Sequence, residues 1–319
     1  MMKILITGGT GFFGKALLRH WSGESEIGKT VPEISVLSRD PETFKKNYPE
    51  LTKNNWINFI KGDILVPESI INGKYSHIIH GATDSTNSSK LTKLERYKQI
   101  VNGTQNMLDY AIKNKIKRFL LTSSGGVYGE QPKELNKIEE TFNGKPDTLN
   151  PNNVYSIAKI SAEHLCTIYQ ATYNLETVIA RCFTFVGRDL PLKEHYAIGN
   201  FINDAITNNE IIIQGDGTPI RTYMDQRDLA RWIIKILEYG KSGNAYNVGS
   251  EEKVSLNELA LVVRNTIAKN SKIIKKNNKE SNRIKYVPSV KKAKTELNLE
   301  IEYNLKESLL EIVRHTKKI

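Results

Sequence analysis

KILITGGTGFFGKALLRHW, residues 3–21, decides the fold of this 319-residue chain. A short β-branched apolar run leads into a glycine-rich turn, and an amphipathic helical pattern follows. Such a strand, turn and helix presents backbone amides and the positive end of a helix to a pyrophosphate. The spacing is Gly8-x-x-Gly11-x-x-Gly14, whereas the dinucleotide fingerprint is usually written G-x-G-x-x-G. Because the turn directly follows the first strand, we interpret it as a dinucleotide site and not only as a flexible turn.

Apolar, strand-like runs alternate with helical patterns over the first 180 residues. The runs are ILIT, ISVLS, INFI, HIIHG, RFLLTSS and TVIAR. This alternation predicts right-handed crossovers and a parallel sheet covered on both faces. We therefore predict an α/β fold with a doubly wound (Rossmann) dinucleotide-binding domain over 1–180 and a smaller, mixed α/β domain over 181–319, which mainly binds substrate.

The second half of the chain is less regular. Its patterns predict a helix from about Ala197, a strand at IIIQG, and helices over Gln226–Tyr239 and Leu256–Ala268. The stretch KNSKIIKKNNKESNR, residues 269–283, is polar and charged enough to be a mobile surface loop.

Composition favours a single enzyme of ordinary size and excludes several other classes. The net charge of +11 could indicate a nucleic acid partner, but lysines are scattered along the chain and no RNA- or DNA-binding motif is present. No apolar stretch approaches a membrane span, and the start leads straight into the first strand, so we expect a cytoplasmic protein with no membrane partner. Cys166 and Cys182 have no metal-ligand spacing and are expected to be core thiols, with no metal site.

Tyr155 and Lys159 lie four residues apart in VYSIAKISAEHL, a helical pattern, and Ser124 ends the apolar run RFLLTSS. A phenol and an ammonium at that spacing share one helix face, so the ammonium can lower the pKa of the phenol and let it pass a proton near neutral pH. By itself the pair is weak evidence, because tyrosine and lysine recur at this spacing on many helices.

Several motifs that occur in order along the chain strengthen the evidence that Tyr155 and Lys159 are catalytic. TGGTGFFG, TSSGGVYG with Ser124 and YSIAK with Tyr155 and Lys159 resemble the extended short-chain dehydrogenase/reductase family, and within it the enzymes that act on nucleotide-linked sugars. The resemblance also covers GDI (62–64), HGAT (80–83), VNGTQNML (101–108), GDGTPIRTYMDQRDLA (215–230) and YNVGS (246–250). It implies a nucleotide-sugar substrate, the return of about 222–250 to the first domain, and a homodimer formed through helices around Leu94–Asn114 and Val154–Tyr173.

The resemblance also implies a set of cofactor-binding residues. Asp63 and Ile64 match the position that contacts the adenine, and Asn102 matches a helix asparagine that holds a buried kink and a water as structural or proton-relay support. The remaining implied cofactor contacts are Gly8, Gly11, Phe12, Phe13, Gly14, Gly81, Ala82, Thr83, Tyr155, Lys159 and Phe183.

The choice of cofactor is predicted from the residues after the second strand, ISVLSRD. An acidic residue there would accept hydrogen bonds from a ribose and favour NAD(H), but this chain has Ser38 and Arg39. A guanidinium near the 2′ position suits the phosphate of NADP(H), which we favour. NAD(H) remains possible if Arg39 is a solvated residue beside the next helix.

In the implied mechanism, Tyr155 is the general acid or base, Lys159 lowers its pKa and holds the cofactor ribose, and Ser124 donates a hydrogen bond to the same substrate oxygen. Arg221 matches the arginine that binds the substrate diphosphate. Asn200, Phe201 and Thr184 match other substrate-binding positions, and Thr184 stands where the family commonly has asparagine.

Gly125 and Gly126 follow Ser124 where, by the same resemblance, dehydratases carry an acidic pair and decarboxylases an acidic residue. Glycine abstracts no carbon-bound proton, so direct hydride transfer at one carbon remains. We predict an NADPH-dependent 4-ketoreductase acting on a nucleotide-linked 6-deoxyhexose, as in deoxysugar biosynthesis. An NAD-dependent nucleotide-sugar C4 epimerase is the alternative, and a non-catalytic NADP-sensing or binding protein is a third reading.

Overall fold

A computed structural model describes residues 2–70, 73–83, 91–192, 194, 196–207, 210–276 and 285–316. The strands are β1 Lys3–Thr7, β2 Glu33–Ser38, β3 Ile57–Lys61, β4 His77–His80, β5 Arg118–Ser124, β6 Glu176–Cys182, β7 Phe185–Val186, β8 Glu210–Ile213, β9 Ile220–Arg221, β10 Met224–Asp225, β11 Asn244–Val248, β12 Val254–Ser255 and β13 Lys272–Lys275. The α-helices are α1 Phe12–Glu26, α2 Pro41–Asn47, α3 Lys93–Lys113, α4 Val154–Tyr173, α5 Ala197–Thr207, α6 Gln226–Tyr239, α7 Leu256–Ile267, α8 Lys291–Leu297 and α9 Leu305–Thr316.

A seven-stranded sheet in the order β11-β6-β5-β4-β1-β2-β3 forms the centre of the fold. The pairs from β6 to β3 are parallel, and the order of the first six strands is that of a doubly wound Rossmann sheet. Residues 4–6 of β1, 78–79 of β4 and 119–121 of β5 are at most 1% exposed, as expected for strands covered on both faces. The predicted fold class is confirmed, and the first three residues of YNVGS, 246–248, lie in β11 of this sheet.

The chain divides into two compact units. The first contains Met1–Val127, Pro146–Cys182 and Ala230–Tyr246, and the second contains Tyr128–Lys145, Phe183–Leu229 and Asn247–Ile319. The sequence prediction differs at 128–145, which it placed in the first domain, and at 222–229 and 247–250, which it returned there.

Hydrogen bonds explain the position of segment 128–145. The Tyr128 hydroxyl donates to Asn247 Oδ1 at 2.8 Å, and the Asn247 amide donates to Glu140 at 2.8 Å. The main chain of Ile138 exchanges hydrogen bonds with Val287 and Ser289. These contacts join residues more than a hundred positions apart, so the segment belongs to the second unit.

Helices α5 and α7 and strand β8 of the second unit lie where the sequence predicted them, and so does helix α6, most of which belongs to the first unit. The predicted loop over 269–283 is wrong in part, because β13 lies inside it and pairs in parallel with β8, with Ile273 opposite Ile211 and Ile274 opposite Ile212. Two isoleucines supply enough apolar surface for this short strand despite the flanking lysines. Residues 277–283 of that stretch lie outside the described residues. Among the helices that the structure describes, none combines the length and the apolar character needed to cross a membrane.

Candidate active site

The glycine-rich turn between β1 and α1 is shaped by close backbone approaches. Gly8 has a φ of +75°, and a Cβ there would lie 2.5 Å from the carbonyl oxygen of Gly81. A Cβ at Gly14 would lie 2.1 Å from the carbonyl oxygen of Gly9, so helix α1 packs directly on the turn. The Gly11 amide donates to Gly8 O at 3.0 Å and Gly11 is the N-cap of α1. The turn thus brings backbone close to the exposed start of α1, where the helix end favours an anion such as a pyrophosphate.

Phe12 and Phe13 begin α1, with ring centres 6.0 Å apart in an edge-to-face arrangement. Both are half-buried beside the exposed Gly11, at the end of the turn where a dinucleotide would lie. Their predicted cofactor contact stays a prediction.

A buried histidine that the sequence analysis did not single out holds the neighbouring loop. His80 Nδ1 lies 2.7 Å from Thr7 Oγ1, and Nε2 lies 3.2 Å from Thr104 Oγ1. The Thr104 hydroxyl donates to a main-chain carbonyl of α3, so it accepts from Nε2–H, which fixes the tautomer. Nδ1 then accepts from Thr7, whose oxygen also accepts from the Ala82 amide at 3.2 Å. Burial, with a smaller contribution from Lys159, lowers the pKa of His80 to about 3, so the ring is neutral.

The predicted catalytic residues Ser124, Tyr155 and Lys159 all lie in the first unit. Ser124 ends β5, and its Oγ accepts a hydrogen bond from the Gly126 amide at 3.0 Å. Tyr155 is half-buried on the first turn of α4, and Lys159 Nζ lies 5.8 Å from the centre of its ring. The predicted sharing of one helix face by the phenol and the ammonium is therefore present.

Lys159 is 3% exposed. Its Nζ donates to Thr122 O at 2.8 Å and to Thr83 Oγ1 at 3.0 Å. Burial lowers the pKa of this ammonium to about 8, and nearby Cys182 and Glu163 oppose that shift. Lys159 can therefore gain and lose a proton near neutral pH.

A buried ion pair lies one turn further along α4, and the sequence analysis missed it. Glu163 accepts hydrogen bonds from the Arg181 guanidinium, with Nη2–Oε2 at 2.7 Å and Nε–Oε1 at 3.0 Å. The Ser123 hydroxyl also donates to Glu163 at 2.5 Å. The pair therefore connects α4 to the ends of β5 and β6, next to Ser124.

Gly126 lies between the hydroxyls of Ser124 and Ser156. A Cβ at position 126 would lie 2.6 Å from Ser156 Oγ and 3.3 Å from Ser124 Oγ. Ser156 is half-buried and directly follows Tyr155. A side chain at position 126 would therefore displace the Ser156 hydroxyl. The space beside Gly126 thus holds a neutral hydroxyl and no acidic group.

At the adenine end, Ser38 ends β2 and Arg39 is exposed. Asp40 is the nearest following carboxylate, but its Oδ1 accepts from the Thr43 amide at 3.1 Å and caps α2. Hydrogen bonds from Thr43 lower the pKa of Asp40. Arg39 and Asp40 are both exposed at this strand end, and the carboxylate of Asp40 is engaged in capping α2.

Asp63 and Ile64 differ in what they can offer a cofactor. Asp63 is half-buried, and its Oδ1 accepts from the Leu65 amide at 2.9 Å. Ile64 is 7% exposed and packs against α3, where a Cβ at Gly103 would lie 2.5 Å from its Cδ1. The side chain of Ile64 thus supports α3, and Asp63 is the accessible residue of the two.

Asn102 does not occupy the buried position that the sequence analysis assigned to it. It is exposed on α3, whereas Ile100 is 1% exposed in the core. The prediction of a buried kink and water at Asn102 is wrong, because its side chain points away from the helix face that packs on the sheet. In this structure Thr83 contacts Lys159.

Apart from Ser124, the predicted substrate residues lie in the second unit, as does Phe183. Phe183 stacks on Tyr286 with ring centres 4.6 Å apart, and Thr184 is half-buried. Asn200 is exposed on α5, while Phe201 is 3% exposed, so Asn200 presents the accessible side chain. Arg221 is half-buried on β9, and its Nη1 donates to Ile220 O at 2.8 Å.

Acidic residues near Arg221 have structural partners. Asp225 is 2% exposed and forms paired hydrogen bonds with Arg227. Asp228 is fully buried and accepts from the amides of Glu302 and Tyr303. These two carboxylates therefore stabilise the second unit.

The sequence profile of the NAD dependent epimerase/dehydratase family matches residues 4–249. The chain belongs to this family. UDP-glucuronic acid decarboxylase 1 of Arabidopsis thaliana is 29% identical over 312 residues, covering 98% of this chain and 69% of that protein. The chain thus spans about two thirds of the length of this curated relative.

Two solved structures of family members show the same fold. The UDP-glucose 4-epimerase of Thermotoga maritima with UDP-glucose superposes with a TM-score of 0.84 at 24% identity, covering 99% of both chains. A dTDP-glucose 4,6-dehydratase of Streptomyces venezuelae with NAD and TYD bound gives 0.85 at 23% identity, covering 99% of this chain and 97% of that one. These likenesses establish the fold of this chain.

Proposed function

We propose that this family member is a 4-ketoreductase, which uses NADPH to reduce the 4-keto group of a nucleotide-linked 6-deoxyhexose. The arrangement around Gly126 carries the proposal, because Ser156 Oγ fills the space that a side chain at position 126 would need. Dehydration and decarboxylation need an acid or base at this place in the enzymes that the motifs resemble. Ser124, Tyr155 and Lys159 are retained, so the chain keeps the groups for a simple carbonyl reduction.

In the proposed mechanism, Ser124 donates a hydrogen bond to the carbonyl oxygen and Tyr155 donates the proton that this oxygen gains. Lys159 stabilises the phenolate form of Tyr155 by its positive charge. The bound dinucleotide supplies the hydride. The turn from Gly8 to Gly14 and the loop 81–83 would hold the dinucleotide, and their close backbone approach fits its pyrophosphate.

NADP(H) is the cofactor we favour. Arg39 is exposed at the end of β2, and the carboxylate that follows it is engaged as the cap of α2. A guanidinium binds a phosphate through charge-assisted hydrogen bonds, whereas NAD selection uses a free carboxylate at this point. The dehydratase structure described above contains NAD, so the two cofactors need a direct comparison.

Three residues of the second unit are proposed to bind the nucleotide-sugar. Arg221 would bind the diphosphate, since its planar guanidinium suits two phosphate oxygens. Asn200 and Thr184 would donate hydrogen bonds to the nucleotide or the sugar. Phe201 would act by packing, since its side chain is buried.

A C4 epimerase is the second candidate, because the absence of an acid at Gly125 and Gly126 is equally compatible with it. The likeness to a UDP-glucose 4-epimerase fold agrees with this reading. An epimerase oxidises and re-reduces the same carbon and keeps its nucleotide bound. A ketoreductase consumes one reduced nucleotide in each turnover, so cofactor stoichiometry separates the two.

We also propose a homodimer built through α3 and α4. These helices pack together within the chain and carry exposed apolar side chains, with Leu94 63% and Ile168 43% exposed. A partner covering these helices would remove this apolar surface from water. Sedimentation equilibrium of the purified protein would measure the mass directly, and a monomer at micromolar concentration would contradict the proposal.

The deciding experiment measures NADPH oxidation with a nucleotide-linked 4-keto-6-deoxyhexose, and the product is identified by NMR. In parallel, UDP-glucose is incubated without added cofactor and assayed for UDP-galactose. We expect oxidation of one NADPH per alcohol formed in the first assay. Turnover in the second assay alone would overturn the reductase assignment, and nucleotide binding without turnover in either would support the non-catalytic reading.

A further inference from the structure

Ser156 uses its hydroxyl differently from three other hydroxyl residues on the helices of the first unit. Ser161 and Thr167 on α4 and Thr104 on α3 each donate to the main-chain carbonyl four residues earlier, at 3.2, 3.3 and 2.6 Å. Serine and threonine inside helices often bond back in this way. Ser156 is half-buried on the first turn of α4, and none of the described residues is a hydrogen-bond partner of its Oγ. Its hydroxyl is thus available to a ligand.

The Ser156 hydroxyl borders the same small space as the hydroxyl of Ser124. The Cβ of a side chain at position 126 would lie 2.6 Å from Ser156 Oγ and 3.3 Å from Ser124 Oγ, so the two oxygens lie on either side of one point. Ser124 Oγ accepts from the Gly126 amide at 3.0 Å, which leaves its hydrogen for another acceptor. A single bound molecule can therefore accept hydrogen bonds from both serines.

The position of the reacting carbonyl decides which atoms of a sugar would lie beside Ser156. In the proposed mechanism Ser124 donates to the oxygen on C4, so a neighbouring hydroxyl reaches the substituents of the carbons next to C4. C3 carries a hydroxyl, whereas the substituent of C5 in a 6-deoxyhexose is a methyl group. A hydroxyl can accept the Ser156 hydrogen or donate to the Ser156 oxygen, but a methyl group can do neither. This step rests on the proposed function, because it uses the place of the 4-keto group.

We propose that Ser156 determines sugar specificity by binding the sugar hydroxyl next to the reacting carbon, which is the 3-hydroxyl of a 6-deoxyhexose. Ser156 holds the ring at C3 while Ser124 and Tyr155 act on the oxygen of C4. Gly126 is needed for this contact, because a side chain at that position would displace the Ser156 hydroxyl. A sugar without a 3-hydroxyl leaves Ser156 without its partner and is bound more weakly.

Binding of three nucleotide-sugars to the full chain with NADP tests the contact by isothermal titration. The three are dTDP-glucose, dTDP-6-deoxyglucose and dTDP-3,6-dideoxyglucose, and the same set linked to UDP is used if UDP-glucose binds more tightly than dTDP-glucose. Ser156→Ala removes the hydroxyl. We expect it to raise the Kd of the first two sugars roughly fivefold, as for one lost hydrogen bond, and to leave the Kd of the dideoxy sugar unchanged.

Ser161→Ala is the matched control, since Ser161 is also a half-buried serine of α4 but its hydroxyl donates to Ile157 O. It should bind all three sugars as the wild type does. A Kd that rises equally for all three sugars in Ser156→Ala, or for none of them, would overturn the proposed contact, because neither result depends on a sugar hydroxyl.

Two further outcomes separate the contact from the proposed function. A loss in Ser156→Ala that is confined to dTDP-glucose would overturn the assignment to the 3-hydroxyl and place the contact at the 6-hydroxyl, which contradicts a 6-deoxyhexose substrate. Wild-type protein that shows the expected binding pattern but reduces no 4-ketosugar with NADPH would support the Ser156 contact and refute the reductase.

Discussion

Arg181 holds Glu163 through two parallel hydrogen bonds, one helical turn along α4 from Lys159. Both side chains are mostly buried, with 19% of the arginine and 10% of the glutamate side chain exposed. The carboxylate is thus fixed near the ammonium and raises its pKa against the effect of burial. This relationship makes the charge of Glu163 a determinant of how Lys159 titrates.

Glu163→Gln is therefore expected to lower the pKa of Lys159 further, because burial would then act with less opposition. The alkaline limb of the pH–rate profile should move to lower pH. Removing one partner of a buried pair should also destabilise the protein by about 3 kcal/mol. Urea unfolding and pH–rate profiles of the two proteins check both effects. An alkaline limb at the wild-type pH would show that Glu163 does not influence Lys159.

Tyr155→Phe should abolish turnover, with a loss of at least about 100-fold in kcat, because it removes the proposed proton donor. Nucleotide binding, followed by fluorescence titration, should remain largely intact. Tyr173→Phe is a matched control on the same helix, where the side chain is 55% exposed. Full turnover in Tyr155→Phe would refute the proposed mechanism.

Arg39→Asp should reverse the preference between NADP(H) and NAD(H), since it replaces a phosphate-binding cation with a carboxylate. We expect the Kd for NADPH to rise roughly tenfold or more. Isothermal titration with both nucleotides measures the ratio. Lys46→Asp changes the charge equally at an exposed position of α2 and should leave the ratio unaltered. An unchanged ratio in Arg39→Asp would place the 2′ contact elsewhere.

Gly126→Ala should reduce activity roughly tenfold, because the new methyl group would overlap Ser156 Oγ, crowd Ser124 Oγ and force the Ser156 hydroxyl to move. Ser156→Gly removes the obstructing hydroxymethyl group, so the double variant should recover part of the loss. Steady-state kinetics of the wild type, the two single variants and the double variant measure this double-mutant cycle.

Gly23→Ala is the matched control for this cycle, because a Cβ at Gly23 would meet nothing within 4 Å. It should keep full activity and raise stability by about 0.5–1 kcal/mol, as alanine favours a helix. Independent, additive effects at positions 126 and 156 would disprove their contact.

His80 should make stability depend on pH between about 3 and 6.5. Its pKa is lowered from 6.5 to about 3 in the folded protein, so the unfolded chain binds one more proton in that window. The stabilisation is fully present above pH 6.5 and is lost by about 1.4 kcal/mol per pH unit as the pH falls. The free energy of unfolding, measured with urea at several pH values, should depend on pH with slopes that differ by this amount between wild type and His80→Gln. Parallel slopes would contradict a neutral, buried His80.

The helix face that Tyr155 and Lys159 share and the glycine-rich turn after β1 could be predicted from sequence because both depend on local spacing. Tyr155 and Lys159 share a helix face by covalent geometry, and Gly8, Gly11 and Gly14 mark one turn. Glu163 and Arg181 could not be paired from sequence, because their contact depends on how α4 lies against β6. Glutamate and arginine are usually exposed, so the residue types of Glu163 and Arg181 did not indicate a buried pair.

Two misjudged positions have physical explanations. Asn102 was assigned a buried role from its motif, but one residue of displacement along a helix rotates a side chain by about 100°. The lysines of β13 indicated a loop, but pairing of Ile273 and Ile274 with β8 provided the strand. In both places a neighbouring element outweighed the local pattern.

The contact between position 126 and Ser156 couples two residues on separate elements. A side chain at position 126 requires the Ser156 hydroxyl to move, so evolution toward an acid-bearing site in this chain would also reposition Ser156. We therefore expect relatives with an acidic residue at the position of Gly126 to differ at the position of Ser156 as well.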